Sequence, residues 1–229
     1  MRQPPDELML FAAGFGSRMQ PLTVDLPKPL IPVAGKSLLD RTLTLATAGG
    51  ITKTVINTHY LGDKIANHLE NYPAQVVHEP NILDTGGGLK NASKFFKGPA
   101  IFTSNSDAIW SGPNPFSYLF QNWRDGCDAL LLCAPISQVS GRTGPGDFSI
   151  SQDGGVTRVG NFVYLGVQII RLDTVRNVRE KQFSLNIIWD KLMARNTLRA
   201  CLYPGLWCDI GRPENIALGE KLLGTSHVR

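Results

Sequence analysis

Apolar residues along this chain fall into short runs separated by turn residues, and the first run, Leu8-Met-Leu-Phe-Ala12, reads as a buried strand. From residue 37 to residue 48 the apolar spacing becomes helical, and Gly49-Gly50 ends that helix. Residues 54–57 predict a strand, 61–69 a helix, 75–78 a strand, 86–96 a helix opened by a second glycine cluster, and 100–104 a further strand. Strands and helices alternating at these lengths require crossover connections, which make the strands parallel. The fold class that follows is α/β, a Rossmann-like three-layer α/β/α sandwich around a mostly parallel mixed sheet. The second half is less regular: 128–134, 147–151 and 162–170 read as strands, 183–193 as a helix, and 198–203 leads into Trp207-Cys-Asp209. Pro213-Glu214 starts a terminal helix, because the missing N–H of proline costs nothing in a first turn.

Ligands of such sheets bind at the carboxyl ends of the strands. The loop after the first strand, Asp84-Thr-Gly-Gly-Gly88 after the third and Asp107 after the fourth all fall at such ends.

Composition narrows the class. A chain of 229 residues, 42% hydrophobic, can bury one sizeable core, so residues 1–229 are expected to form a single domain. A net charge of +4 and a pI near 8.9 suit a small anionic ligand. No polybasic run marks a nucleic-acid surface: the densest basic stretch, 171–181, is interleaved with Asp173 and Glu180. Cys127, Cys133, Cys201 and Cys208 fit neither a CxxC pair nor a zinc knuckle and read as reduced thiols, Cys208 as a small buried residue in a strand. With no apolar run long enough to span a bilayer and no basic-then-apolar leader, the expectation is a cytoplasmic protein without membrane contact.

The candidate chemistry lies in Phe11-Ala-Ala-Gly-Phe-Gly-Ser-Arg-Met-Gln-Pro-Leu-Thr23 and Lys28-Pro-Leu30. Gly14 and Gly16 let bare backbone approach an anion, so that successive N–H groups can form a nest for phosphate oxygens. Arg18 adds a planar cationic fork and Lys28 a compact point charge. A dinucleotide fingerprint would need glycine where Met19 stands, and the Gly-Lys-Ser/Thr of a Walker A loop is absent.

Ala12-Ala-Gly-Phe-Gly-Ser-Arg-Met19, Pro21-Leu-Thr23 and Lys28-Pro-Leu-Ile-Pro-Val-Ala-Gly35 resemble the signature of the sugar-1-phosphate nucleotidyltransferases. Further landmarks of that family recur at Asp84-Thr-Gly-Gly-Gly88, Asn105-Ser-Asp107 and Trp207-Cys-Asp-Ile-Gly211, so the resemblance covers essentially the whole chain. It implies the nucleotide-diphospho-sugar transferase fold and a reaction in which a sugar-1-phosphate oxygen attacks the α-phosphorus of a nucleoside triphosphate and expels pyrophosphate. Such chemistry asks mainly for positioning and for neutralised charge.

Carried onto this sequence, the resemblance makes Arg18 and Lys28 catalytic. Arg18 would hold the departing pyrophosphate, and Lys28 would contact the attacking sugar phosphate and the α-phosphate. Ala12, Ala13, Gly14, Gly16, Ser17, Arg18 and Lys28 would wrap the triphosphate, with Thr85, Gly86 and Gly87 bonding the base edge, although a plain helix cap accounts for Asp84 and Thr85 nearly as well. Asp107 and Asp209 would hold Mg2+, which takes one or two carboxylates plus phosphate oxygens and water. Gly146 and Asn186 fall near the sugar-phosphate pocket, and Asp147 is a candidate for the same side or else a turn residue.

Two departures stand out: Ser106 occupies a position where the family commonly has glycine, and the Glu-Lys-Pro motif of many hexose-1-phosphate enzymes is missing between residues 156 and 166. That absence is shared with the short branch that makes uridylyl derivatives of N-acetylmuramate 1-phosphate in cell-wall sugar recycling. UTP and N-acetylmuramate 1-phosphate are therefore the expected substrates of a monomer or small homo-oligomer. Guanylyl transfer to mannose 1-phosphate and a catalytically silent nucleotide-sensing subunit are the alternatives.

Overall fold

The computed structural model describes residues 5–225. Strand β1 (Glu7–Ala12) is buried on both faces, with Leu8 and Leu10 packed into one hydrophobic cluster and Met9 into another. This is why a central parallel strand reads as a continuous apolar run rather than an alternating one. A small hairpin, β2 (Pro32–Val33) and β3 (Lys36–Ser37), precedes α1 (Leu38–Ala48), whose first turn is capped where Ser37 Oγ accepts the Asp40 N–H at 2.9 Å. Then follow β4 (Lys53–Thr58), α2 (Gly62–His68), β5 (Ala74–His78), α3 (Asp84–Ala92) and β6 (Ala100–Asn105).

These parallel strands lie in the order β5-β4-β1-β6, so the chain builds outward from β1 through β4 to β5 and then crosses to the other side of β1 for β6. The crevice between the ends of β1 and β6 is the topological switch point, where ligands of open α/β sheets bind.

The rest of the chain comprises β7 (Ala108–Ser111), α4 (Pro115–Asn122), β8 (Ala129–Pro135), β9 (Val139–Ser140), β10 (Gly146–Ile150), β11 (Val156–Gly160), β12 (Phe162–Arg171), α5 (Asp173–Arg176), α6 (Leu185–Ala194), β13 (Leu198–Leu202), β14 (Leu206–Asp209) and α7 (Asn215–Thr225). The long β12 runs antiparallel to β6, β8 and β10 and joins the two halves into one mixed sheet. A separate sheet, β7-β14-β9, stands beside the carboxyl end of β6.

The mixed three-layer architecture agrees with the sequence expectation, and three local details differ. Helix α3 starts at Asp84, two residues earlier than periodicity placed it, and passes into a 3-10 turn over Ser93–Phe95 instead of running on to residue 96. Asp147 lies within β10 rather than in a turn. Of the β7-β14-β9 sheet only the strand that holds Cys208 has a counterpart in the sequence, because strands of two to four residues carry no resolvable period. No helix among the described residues is long and apolar enough to cross a membrane. Residues 1–4, on which the expectation of no leader segment partly rests, lie outside the described residues.

Candidate active site

The chain leaves β1 at Ala12, whose N–H donates to Asn57 Oδ1 at 3.0 Å. Asn57 Nδ2 in turn donates to Glu79 Oε1 at 2.8 Å, and the Leu83 N–H donates to Glu79 Oε2 at 3.2 Å. This buried series of hydrogen bonds fixes the start of the glycine loop to the connection that leads into α3.

Gly16 has φ +65°, and a Cβ there would lie 3.0 Å from the Thr23 methyl and 3.1 Å from Lys28 Cβ. Glycine is thus required both for the left-handed backbone and for the close approach of Lys28. The Gly16 carbonyl accepts from the Met19 N–H at 2.8 Å and from Thr23 Oγ1 at 2.9 Å, closing a 3-10 turn over Ser17–Met19. Met19, where a dinucleotide loop would have glycine, is fully buried. Arg18 faces the cavity that the loop encloses with Ala12, Gly14, Ser17, Lys28 and Asp107.

Asp107 and Asp209 are distant in sequence and adjacent in space. Strands β7 and β14 pair antiparallel with Asp209 opposite Ala108, and the Ile210 N–H donates to the Asp107 carbonyl at 2.9 Å. Ser106 secures the preceding residue, its Oγ donating to the Phe11 carbonyl at 2.8 Å. Lys28 Nζ meets Asp107 Oδ2 at 2.5 Å. Burial, and next the charge of Asp107, push the Asp209 carboxyl above its ordinary range, against the pull of Lys28, Arg18 and Arg142. A half-buried carboxylate pair under this tension, facing a cavity with room for phosphate oxygens, fits a hard divalent cation such as Mg2+. Among the described residues no group of three or more His, Cys, Asp or Glu is placed to hold a metal.

A second cavity of about 460 Å³ adjoins the first and shares Arg18, Asn105 and Asp107 with it. Asn186 lines this cavity, as do Arg142, Arg158, Tyr164, Trp189 and Arg212, none of which the sequence reading singled out. Arg142 is held by a two-point pair to Asp147, with Nη1 to Oδ2 at 2.9 Å and Nη2 to Oδ1 at 2.6 Å, and the Tyr164 N–H adds a third bond to Oδ2 at 2.9 Å. Asp147 is therefore the anchor of a cavity arginine, and a spacing of five residues gave no signal of it.

Other sequence candidates stand away from the cavities. Ala13 is buried behind the loop and lines neither of them. Gly146 lines neither, and its role is close packing: a Cβ would come within 2.5 Å of the Gly160 carbonyl across the β10–β11 ladder. Thr85 Oγ1 accepts the Leu185 N–H at 3.0 Å and lies 3.1 Å from Asp84 Oδ1, so its hydroxyl is engaged within the fold. The Gly87 N–H donates to the Phe183 carbonyl at 2.9 Å. A Cβ at Gly86 would lie 2.4 Å from the Phe183 ring, and one at Gly87 2.3 Å from the Lys181 carbonyl. The glycines of this cluster let the 181–183 segment seat against α3, a packing role that the sequence did not show.

Residues 8–143 match the model of the MobA-like NTP transferase domain. The chain is 32% identical to the N-acetylmuramate alpha-1-phosphate uridylyltransferase of Caulobacter vibrioides over 97% of its own length and 99% of that protein. It is 26% identical to a mannose-1-phosphate guanyltransferase of Debaryomyces hansenii, covering 95% of this chain and 64% of the latter. Among solved structures, HddC from Yersinia pseudotuberculosis complexed with GMP-PN superposes with a TM-score of 0.77 at 19% identity, covering 95% of this chain and 99% of that one. The glycine loop, the adjoining cavities and these likenesses agree, and the chain belongs to the MobA-like NTP transferase family.

Proposed function

We propose that this nucleotidyltransferase joins UTP to N-acetylmuramate 1-phosphate, releasing pyrophosphate and a nucleotide-sugar for cell-wall sugar recycling. The observation that carries the reading is the pair of adjoining cavities that share Arg18, Asn105 and Asp107, one beneath the glycine loop and one reaching to Asn186 and Trp189. Two polyanions can meet there, and the cations between them offset their mutual repulsion. The likeness to the Caulobacter enzyme over nearly its whole length favours the uridylyl and N-acetylmuramate assignment.

In this reading the loop N–H groups and Arg18 hold the triphosphate and take up the charge that builds on the departing pyrophosphate. Lys28 moves from Asp107 toward the α-phosphate and orients the attacking sugar-phosphate oxygen. Asp107 and Asp209 would hold Mg2+, which would supply neutralisation of the charge that develops on the transferred phosphoryl group. Asn186 and the Arg142–Asp147 pair border the acceptor.

Pyrophosphate release should be measured for each common nucleoside triphosphate against a panel of sugar 1-phosphates with magnesium. UTP with N-acetylmuramate 1-phosphate should turn over fastest, and Asp107→Asn should lower kcat by roughly a thousandfold. A preference for GTP with mannose 1-phosphate would replace this reading with guanylyl transfer, and no turnover of any pair would leave the silent sensing subunit.

A further inference from the structure

The acceptor cavity carries more positive charge than a neutral sugar phosphate requires. Four arginines line it, Arg18, Arg142, Arg158 and Arg212, together with three carboxylates, Asp107, Asp147 and Asp209. Asp107 and Asp209 belong to the reacting end. Asp147 is committed to Arg142, both its oxygens being taken by that guanidinium and one also by the Tyr164 N–H, so this pair is closed.

Arg158 and Arg212 remain. Arg158 lies over the Phe148 ring at 5.1 Å and the Trp189 ring at 5.8 Å. Its Nε donates to Asp190 Oδ1 at 2.9 Å and its Nη2 to the Asn186 carbonyl at 3.2 Å. Those contacts fix the plane of the fork while leaving Nη1 without a partner among the described residues. Asp190 lies outside the cavity lining and is 60% exposed, so water already screens its claim on the arginine. Arg212 follows the Asp209 segment and makes no ion pair among the described residues. Its turn is pinned by Asn215, whose N–H donates to the Arg212 carbonyl at 3.0 Å and whose Nδ2 donates to the carbonyls of Gly141 at 2.7 Å and Asp209 at 2.9 Å.

A neutral sugar seated here would strip water from two guanidinium groups without replacing it by an anion, which is unfavourable. A sugar bearing a carboxylate would supply the missing counter-charge, and a planar fork is the geometry that binds a carboxylate.

Resting on the function proposed above, we infer that Arg158 and Arg212 are specificity-determining residues that select a sugar 1-phosphate carrying a carboxylate substituent. The phosphate end is served by Arg18, Lys28 and the aspartate pair, so the distal arginines act on discrimination more than on the chemical step.

The test compares two acceptors that differ only in the lactyl ether bearing the carboxylate, N-acetylmuramate 1-phosphate and N-acetylglucosamine 1-phosphate, with UTP and magnesium. The wild-type ratio of kcat/KM values should favour the acidic sugar. In the Arg158→Gln, Arg212→Gln double variant that ratio should fall by roughly ten- to a hundredfold, chiefly through KM of the acidic sugar. The Arg158→Lys, Arg212→Lys variant should recover part of it, and the wild-type ratio should shrink as salt is raised. Equal use of both sugars by the wild type, or a ratio unchanged in the Gln variant, overturns the inference while leaving nucleotidyl transfer intact. Turnover of neither sugar overturns the proposed function itself.

Discussion

Lys28 Nζ sits 2.5 Å from Asp107 Oδ2, so the cation expected at the phosphates rests on a carboxylate expected at the metal. The two roles therefore compete for one oxygen. In the proposed reading a divalent cation at Asp107 would have to displace or share with Lys28, and the freed ammonium would be available to the phosphates.

Lys28→Met should consequently split two properties. Metal affinity of the nucleotide-free protein, followed by Mn2+ titration with electron paramagnetic resonance, should rise several-fold because a repelling charge is gone. The turnover number should drop by about a hundredfold or more, since a preorganised cation is missing from the transition state. Unchanged Mn2+ affinity would show that lysine and metal do not contend for Asp107.

Asp209 yields a prediction about stability. Burial and Asp107 raise its folded-state pKa above the unfolded value, so its favourable contribution is complete only below the unfolded pKa and disappears as pH rises through the folded one. At neutral pH the ionised group costs stability. Asp209→Asn should therefore raise Tm at pH 7 without magnesium by a few degrees while abolishing turnover, and the gain should vanish below the ordinary carboxylate range near pH 4. A lower Tm at pH 7 would contradict this account.

Glycines 86 and 87 separate a packing role from a ligand role. Gly87→Ala places a methyl 2.3 Å from the Lys181 carbonyl, which backbone cannot yield cheaply. Urea unfolding should show a loss of about 1–3 kcal/mol. If the variant keeps its midpoint and instead loses nucleotide affinity, the ligand role outweighs the packing role.

The cysteines should be inert in the native state. Burial pushes the Cys208 thiol up to about 11 and Cys201 up to about 12, and drives Cys133 well above its usual value. At pH 8 the Cys208 thiolate is then only about one part in a thousand, and the side chain is inaccessible. Iodoacetamide at pH 8, read by mass spectrometry, should label these three positions slowly in the folded protein and fully in urea. Rapid native labelling at Cys208 would disprove the buried assignment.

The sequence by itself determined the first half of the fold. Strands β1, β4, β5 and β6 are short runs with apolar centres and the helices between them carry apolar residues at helical spacing, so local patterning, turn glycines and the handedness of crossovers left little freedom. It also placed Gly14, Gly16, Arg18 and Lys28 together, because they belong to one loop whose chemistry depends on near neighbours. Only the tertiary structure decided what depends on long-range pairing. Asp107 meets Asp209 because two four-residue strands, β7 and β14, lie antiparallel, and a ladder that short leaves no period to read. Arg142, Arg158 and Arg212 look like ordinary surface arginines along the chain and become the wall of one cavity because β12 joins the β10–β11 ladder to β6 and β14 delivers the chain to Arg212. The Gly86–Gly87 step likewise carries a packing role that only the structure reveals, since the 181–183 segment lies against its bare backbone.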